Sequence, residues 1–341
     1  MFFYAPFSPF RFLFSDFLEK NMPFYFVLSP ICAIFAVSIN IRSFLRYQKY
    51  TQMRVLIVNT SEKTGGAAVA ANRLMDALNN NGVKAKMLVR DKETEDITVV
   101  SLPRSLRLQW NFLWERWCVF WHLHFSRQRL WEVDVATSGT DITKLREFQE
   151  ADVIHLSWIN QGMLSLKNIR KIIRSGKPVV WTMHDLWPAT GICHYARGCN
   201  RYASACGNCP LLPNKGSKND LSAKIFRRKK ELYHRGAISF VTCSRWLERQ
   251  AKGSGLFVGQ RITNIPNPID THVFCPQDQA EARLRAGLPA DKHIILFVSQ
   301  RVTDERKGMR YFIEAIDRLV ARYPEMKENT AIAILGGHSE E

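Results

Sequence analysis

Short apolar runs alternate along the chain with stretches whose apolar residues recur every three or four positions. RVLIVN (54–59) predicts a buried strand, AAVAANRLMDALNNNG (67–82) an amphipathic helix, and VKAKMLV (83–89) a second strand. Further strand-like runs are DVIHLSW (152–158), PVVWTMH (178–184), ISFVTCS (238–244) and ITNIP (262–266). Continuous apolar strands separated by helices predict an α/β fold with a parallel, doubly wound sheet.

The same pattern restarts after PNPIDTHVFCP (266–276). HIILFVSQ (293–300) predicts a strand, GMRYFIEAIDRLVARYP (308–324) a helix, and TAIAILG (330–336) another strand. A Rossmann-like domain needs more strands than this to cover both faces of its sheet. We therefore predict one complete unit over residues 53–272 and an incomplete second unit over residues 273–341.

Residues 1–52 differ from the rest because they are strongly hydrophobic. MPFYFVLSPICAIFAVSINI (22–41) carries no charge over twenty positions, and Arg42, Arg46 and Lys49 follow it. That length and basic flank are typical of a single transmembrane anchor that would keep the following chain in the cytoplasm. Pro30 in mid-span argues against an anchor, and we favour the alternative that translation begins at Met53 and that residues 1–52 are misassigned.

Composition and charge narrow the class of protein. The chain has 341 residues of which 46% are hydrophobic, which excludes a disordered protein. Its formal net charge of +17 favours a polyanionic partner, such as an anionic membrane surface, a phosphorylated small molecule or nucleic acid. Eight cysteines in this length are too few for a secreted disulfide scaffold and indicate a reducing compartment.

Two loops have the residues that bind phosphate in other α/β proteins. Gly65 and Gly66 lie between the first strand and the first helix, where free N–H groups and the helix dipole favour an anion. The G-x-G-x-x-G fingerprint is absent, so a simple tight turn remains the alternative. In SQRVTDERKGMRYF (299–312), Arg301, Arg306 and Lys307 offer countercharge for a diphosphate, or form a solvated basic loop.

The order of these segments resembles family 4 of the retaining glycosyltransferases, which have the two-domain GT-B fold. The resemblance is carried by KTGG, ADVIHLSW, VVWTMHDLWPATG, FVTCSRWL, ITNIPNPIDTHVFCP and ERKGMRYFIEAI, within about residues 53–341. It implies an N-terminal acceptor domain (53–272) and a C-terminal nucleotide-sugar-binding domain (273–341). The E-x7-E pair of this family has no counterpart here, where only Glu340 and Glu341 follow the last strand, so the second domain is expected to be incomplete.

The resemblance also implies an activity. Such an enzyme is a retaining, hexosyltransferase-type transferase that moves a sugar from a nucleotide-sugar donor to the hydroxyl of a glycan or lipid-linked acceptor. The cysteine-rich loop after HDLWP resembles that of colanic-acid and exopolysaccharide transferases, which indicates surface polysaccharide biosynthesis at the inner face of the cytoplasmic membrane. No catalytic metal or cofactor is expected. The alternatives are an inactive fragment of such an enzyme and a zinc-bearing basic nucleic-acid-binding protein, although we expect no nucleic-acid partner.

Seven residues of this sequence match positions with roles in the family. Gly65 and Gly66 correspond to the glycine loop that lies against the donor. Arg301 and Lys307 correspond to the basic pair that neutralises the donor's diphosphate, and Arg306 is the alternative to Arg301 in that pair. The resemblance places His184 near the transferred sugar, where Asp185 is expected to orient its ring. A histidine that only completes the end of the sheet is the alternative for His184.

A cysteine cluster follows His184 and Asp185 along the chain. CHYARGCNRYASACGNCP holds four cysteines in one loop and ends in a sequence like a zinc knuckle. Four thiolates would close a tetrahedral structural zinc site; reduced thiols and disulfides are the alternatives. The cysteines are Cys193, Cys199, Cys206 and Cys209.

Two stretches bear on the acceptor and the membrane. In LRLQWNFLWERWCVFWHLHF (106–125), tryptophans recur every three or four residues, which predicts that they lie on one face of a helix. This face could lie at a bilayer interface or bind a lipid-linked sugar, or alternatively pack in the core. AKIFRRKKELYHR (223–235) predicts a basic helix. This helix could dock on anionic lipid or bind a pyrophosphoryl acceptor, or its basic face could be solvated without a partner. The tryptophans are Trp110, Trp114, Trp117 and Trp121.

Overall fold

The computed structural model describes residues 53–103 and 105–337, and its larger unit is built on one parallel sheet. Seven strands lie in the order β3-β2-β1-β4-β5-β6-β7, and every neighbouring pair is parallel. The strands are β1 Arg54–Val58, β2 Lys84–Val89, β3 Val99–Ser101, β4 Val153–Leu156, β5 Val179–Met183, β6 Ile238–Thr242 and β7 Arg261–Asn264.

Helices cover both faces of this sheet. They are α1 Gly66–Asn80, α2 Leu106–His122, α3 Arg146–Glu150, α4 Leu166–Arg174, α5 Leu221–His234 and α6 Arg245–Lys252. The central strands β4, β5 and β6 are buried at every residue, as strands sandwiched between two helical layers must be. Ile57 and Val180 face one core cluster with α1, and Leu56 and Trp181 face the other cluster.

The second unit has a smaller parallel sheet. It contains α7 Gln279–Ala286, β8 His293–Arg301, α8 Met309–Arg322, α9 Met326–Asn329 and β9 Thr330–Gly337, and β8 pairs with β9 in parallel register. Phe297 of β8 packs against Phe312 of α8, with ring centroids 5.2 Å apart. Two α/β units with parallel sheets are therefore present, as the strand pattern predicts.

The strand order places a crevice at one edge of the larger sheet. The order reverses direction between β1 and β4, and ligands of open α/β sheets bind at such a reversal, beyond the carboxyl ends of the strands. The loops that leave β1, β4 and β5 all begin at this edge.

None of the helices in the described ranges combines the length and apolarity needed to span a bilayer. The predicted transmembrane segment, residues 22–41, lies outside these ranges.

Candidate functional site

The glycine loop forms the open end of α1. Gly65 is the N-cap of this helix, with φ of +91° and no side-chain cap, and an added Cβ at Gly65 or Gly66 would meet no atom within 4 Å. The first N–H groups of any helix lack intrahelical acceptors, and the helix dipole makes them attractive to anions. Nearby, the Glu62 carboxylate accepts N–H groups of Glu93 and Thr94, which fixes the start of the loop.

His184 follows β5 at the same edge. Its Nε2 atom lies 3.0 Å from the hydroxyl oxygen of Ser157, which follows the neighbouring strand β4. Burial lowers the pKa of His184 to about 4, and the nearby Asp185 only partly offsets this, so the ring is neutral at pH 7. Among the described residues, only Nε2 of the ring has a hydrogen-bond partner, which leaves Nδ1 for a ligand.

Asp185 does not orient the His184 ring, which corrects the expectation from the sequence. Its carboxylate contacts His194 Nδ1 at 2.7 Å and accepts hydrogen bonds from the indole Nε1 of Trp158 at 3.0 Å and the backbone N–H of Trp187 at 2.8 Å. These three partners hold the carboxylate inside the protein, and His184 is not among them. Asp185 therefore positions the loop, and Ser157 holds the ring.

His194 carries a positive charge between two buried carboxylates. Its Nε2 atom lies 2.9 Å from Asp134 Oδ2, opposite the Asp185 contact. Burial alone would lower the pKa of His194, but Asp185 and Asp134 outweigh it and raise the pKa to about 9. Asp134 is also paired with Arg116 of α2. A chain of buried charges thus runs from α2 to the sheet edge.

The basic loop of the second unit reaches the first unit through Arg306. Its guanidinium lies 4.3 Å from the centre of the Tyr195 ring, in the loop after β5, and Nε donates to Asp304 at 2.9 Å. Arg306 is thus already engaged. Arg301 and Lys307 are exposed and form no ion pair with a described residue, so these two retain charge for a ligand.

A polar cavity of about 570 Å³ opens beside the start of α4. Four cations line it, and its one acidic lining residue, Asp141, is paired with Lys171 at 2.5 Å. The cavity lies at the same edge as His184, because α4 begins in the loop that leaves the carboxyl end of β4. The cations are Arg107, Lys144, Lys167 and Lys171.

The four clustered cysteines line one small cavity as free thiols. Burial raises the pKa of Cys193 to about 11 and that of Cys206 to about 12, so these thiols are protonated at pH 7. Across residues 53–337, no three His, Cys, Asp or Glu side chains are grouped to hold a metal ion. Structural zinc at Cys193, Cys199, Cys206 and Cys209 stays a prediction.

The predicted basic helix corresponds to α5, but one of its lysines is inside the protein. The Lys229 ammonium donates to the carbonyls of Trp187 at 2.6 Å and Thr190 at 3.0 Å, and it lies 3.4 Å from the centre of the Trp187 ring. Burial lowers the pKa of Lys229 to about 7. Lys229 therefore anchors the loop after β5, while Arg227, Arg228 and Lys230 remain exposed.

Three residues of this site are not identified by the sequence analysis. Ser157 had a usable signal, because it lies near the carboxyl end of a predicted strand, as His184 does. His194 and Tyr195 lie in an irregular loop, where no periodicity predicts which way a side chain points. Their contacts with Asp185 and Arg306 emerge only from the fold.

The family model described as Glycosyltransferase Family 4 matches residues 64–273, more than half of the chain. A protein named as a colanic acid biosynthesis glycosyl transferase in Escherichia coli (strain K12) is 32% identical over 85 residues, which cover 24% of this chain and 20% of that protein. D-inositol 3-phosphate glycosyltransferase of Nocardioides sp. (strain ATCC BAA-499 / JS614) is 33% identical over 79 residues, 23% of this chain and 17% of its own length.

Other relatives are also matched over only part of their length. Phosphatidyl-myo-inositol mannosyltransferase of Mycolicibacterium smegmatis is 30% identical over 125 residues, which span 28% of that protein. The chain thus spans between about a sixth and about a quarter of the curated relatives named here. Among solved structures, a glycosyltransferase from Rickettsia africae ESF-5 aligns at 13% identity and a TM-score of 0.44, over 84% of this chain and 69% of that one.

Proposed function

Because the chain belongs to Glycosyltransferase Family 4, we propose that it transfers a sugar from a nucleotide-sugar donor to an acceptor hydroxyl with retention of configuration. The observation that carries this proposal is the convergence at one sheet edge of an open glycine loop, a neutral histidine and a basic loop from the second unit. Arg306 on Tyr195 brings that basic loop to the edge that holds His184.

The donor diphosphate is expected between the two units. Arg301 and Lys307 would neutralise its charge, and the first N–H groups of α1, beyond Gly65 and Gly66, would contribute hydrogen bonds. These groups supply countercharge without a metal ion or a cofactor, so we propose that none is needed for catalysis. Arg306 would act indirectly, by holding the basic loop in place.

The transfer itself exchanges one bond for another at the anomeric carbon. The bond from this carbon to the diphosphate oxygen breaks, and a bond to the acceptor oxygen forms on the same face of the sugar. The acceptor proton passes to the departing diphosphate. The neutral His184 ring, fixed by Ser157, would hydrogen-bond a hydroxyl of the transferred sugar and orient it for this step.

We further propose that the acceptor is a glycan or lipid-linked glycan and that the reaction serves surface polysaccharide biosynthesis. The cationic cavity next to α4 would admit an acceptor that carries phosphate or carboxylate groups. The net charge of +17 supports work at an anionic membrane surface, for which we propose the inner face of the cytoplasmic membrane.

The decisive experiment measures binding and transfer separately on the purified full chain. UDP-, GDP- and ADP-sugars are compared in a thermal-shift assay, because a ligand at 100 times its Kd stabilises a fold by about 2.7 kcal/mol. Release of the matching nucleoside diphosphate is then measured with glycan acceptors, and the anomeric configuration of the product by NMR. Stabilisation by one donor and nucleotide release that requires the acceptor would support the proposal. A cooperative melt that responds to no donor would refute it.

A further inference from the structure

Helix α2 buries two charged residues, Glu115 and Arg116, and exposes its tryptophans, which reverses the usual arrangement. Glu115, Arg116 and Val119 are its buried residues. Each tryptophan of the aromatic face, which we define as Trp110, Trp114, Trp117, Trp121, Phe125 and Trp131, is 50–64% exposed, so core packing does not explain the tryptophan stripe. Large contiguous apolar patches on a soluble surface mark interaction sites.

The buried charges show that this orientation is built in. The Glu115 carboxylate accepts the backbone N–H groups of Val135 and Ala136 at 2.7 Å and of Thr137 at 2.9 Å. Arg116 is paired with Asp134 and donates to the Leu130 carbonyl at 2.6 Å. Turning the tryptophans inward would leave these groups unpaired, so the aromatic face is held outward.

The surroundings of the aromatic face are cationic. Arg107 and Arg127 are exposed beside it, and the only carboxylate within residues 105–131, all of which the structure describes, is the buried Glu115. The next acidic residue along the chain, Glu132, is paired with Arg197 at 2.8 Å. The face therefore presents aromatic rings and positive charge without an exposed negative charge.

We infer that this face docks on an anionic lipid bilayer. Tryptophan rings are favoured at the level of the lipid headgroups, and each arginine near an anionic surface adds to the attraction. Two other partners for this face are a second copy of the protein and the apolar stretch 22–41. A second copy would place Arg107 and Arg127 next to like charges, and the stretch 22–41 has no carboxylate to pair with them. Of these three occupants, only anionic lipid supplies the complementary charge. The inference is independent of the proposed chemistry, since vesicle binding is measured without donor or acceptor.

Tryptophan quenching by brominated lipid tests this directly on the full chain. Five of the nine tryptophans belong to the aromatic face and none lies in residues 1–52, so quenching does not report on the apolar stretch 22–41. We expect vesicles of brominated phosphatidylcholine with phosphatidylglycerol to quench a large part of the emission. Vesicles without the anionic lipid should quench much less. Equal quenching by both, or none by either, would overturn the inference.

Matched variants locate the contact. R107E/R127E should weaken binding to anionic vesicles roughly 30-fold, whereas R227E/R228E on the exposed side of α5 should change it little. W117A/W121A should lose much of the quenching, and W246A, which removes a tryptophan that is 55% exposed elsewhere, should not. Loss of binding in the α5 variant alone would assign docking to that helix instead. A dimer in solution that only W117A/W121A dissociates, without lipid binding, would assign the face to self-association.

Discussion

The imidazole of His184 and the hydroxyl of Ser157 meet at 3.0 Å across the ends of two neighbouring parallel strands. Because β4 and β5 are hydrogen-bonded and buried on both sides, neither group moves far without disturbing the sheet. A neutral ring in a fixed orientation suits hydrogen bonding to a substrate better than it suits proton transfer at pH 7.

Replacing His184 with Gln is expected to lower kcat/KM for sugar transfer about 100-fold, because one preorganised hydrogen bond to the transferred sugar is lost. The melting temperature should change little, since the ring makes a single protein hydrogen bond. Steady-state kinetics and a thermal melt check the two statements together.

The companion variant Ser157→Ala removes only the ring's partner. It should cost about 1 kcal/mol of stability and reduce transfer less than His184→Gln does. Full activity in His184→Gln would show that the histidine merely completes the sheet edge.

Gly65→Ala should damage both the fold and donor binding. A φ of +91° strains any residue with a Cβ, at a cost of roughly 1–3 kcal/mol, and the new methyl group points into the open loop where the donor is expected. Gly176, with φ of +76° and equally open surroundings, lies in the loop that precedes β5, at the opposite edge of the sheet.

Gly176→Ala is therefore the control for backbone strain. Both variants should melt at lower temperature, but only Gly65→Ala should weaken nucleotide-sugar binding in calorimetric titrations. Equal donor affinity in the two variants would contradict a donor at the glycine loop.

Lys307→Ala should weaken nucleotide-sugar binding by roughly 10- to 100-fold, because a charge-assisted hydrogen bond to the diphosphate is lost. Arg310→Ala removes another exposed cation from the same unit and should leave the affinity nearly unchanged. Titration with the free nucleoside diphosphate should show the same ranking. If Arg310→Ala weakens binding as much as Lys307→Ala, the basic loop acts only through its overall charge.

The pH dependence of stability should depend on two buried cations with opposite effects. Burial lowers the pKa of Lys229 from 10.5 to about 7, so above pH 7 the unfolded chain holds a proton that the folded chain has lost, and stability rises towards pH 10.5. Despite its burial, Asp185 and Asp134 raise the pKa of His194 from 6.5 to about 9, so its contribution is complete below pH 6.5 and is lost by pH 9.

Lys229→Met separates these two effects. Without Lys229, whose contribution to stability increases with pH, only the loss of the His194 contribution remains. The free energy of unfolding should therefore fall more steeply between pH 7 and pH 9 than in the unmodified protein. Urea titrations at pH 7, 8 and 9 measure this. Parallel curves for the two proteins would mean that Lys229 is not shifted as described.

The fold class was predictable from the sequence because buried parallel strands leave a strong signal. RVLIVN, DVIHLSW, PVVWTMH and ISFVTCS correspond to β1, β4, β5 and β6, and the predicted α/β GT-B class is confirmed. The short strand β3 was not predicted, because three residues carry no measurable periodicity.

The site was predictable only where residues follow strands directly. His184 and the glycine loop lie where the strand pattern places them, at the carboxyl edge of the sheet. The partner of Asp185 was predicted wrongly, because the adjacent His184 was the obvious candidate in sequence while His194 comes close only through the fold of the loop. The roles of Gly65, Arg301 and Lys307 in donor binding stay predictions.

The chain of buried charges from Arg116 through Asp134 and His194 to Asp185 has a mechanical consequence. It ties α2 to the residue next to His184 through buried ion pairs, which restrain the helix against the sheet edge. If α2 docks on lipid as we infer, His184 would lie at a fixed distance from the headgroups. If the proposed transfer takes place there, it would select acceptors whose reactive hydroxyl lies at that distance from the headgroups.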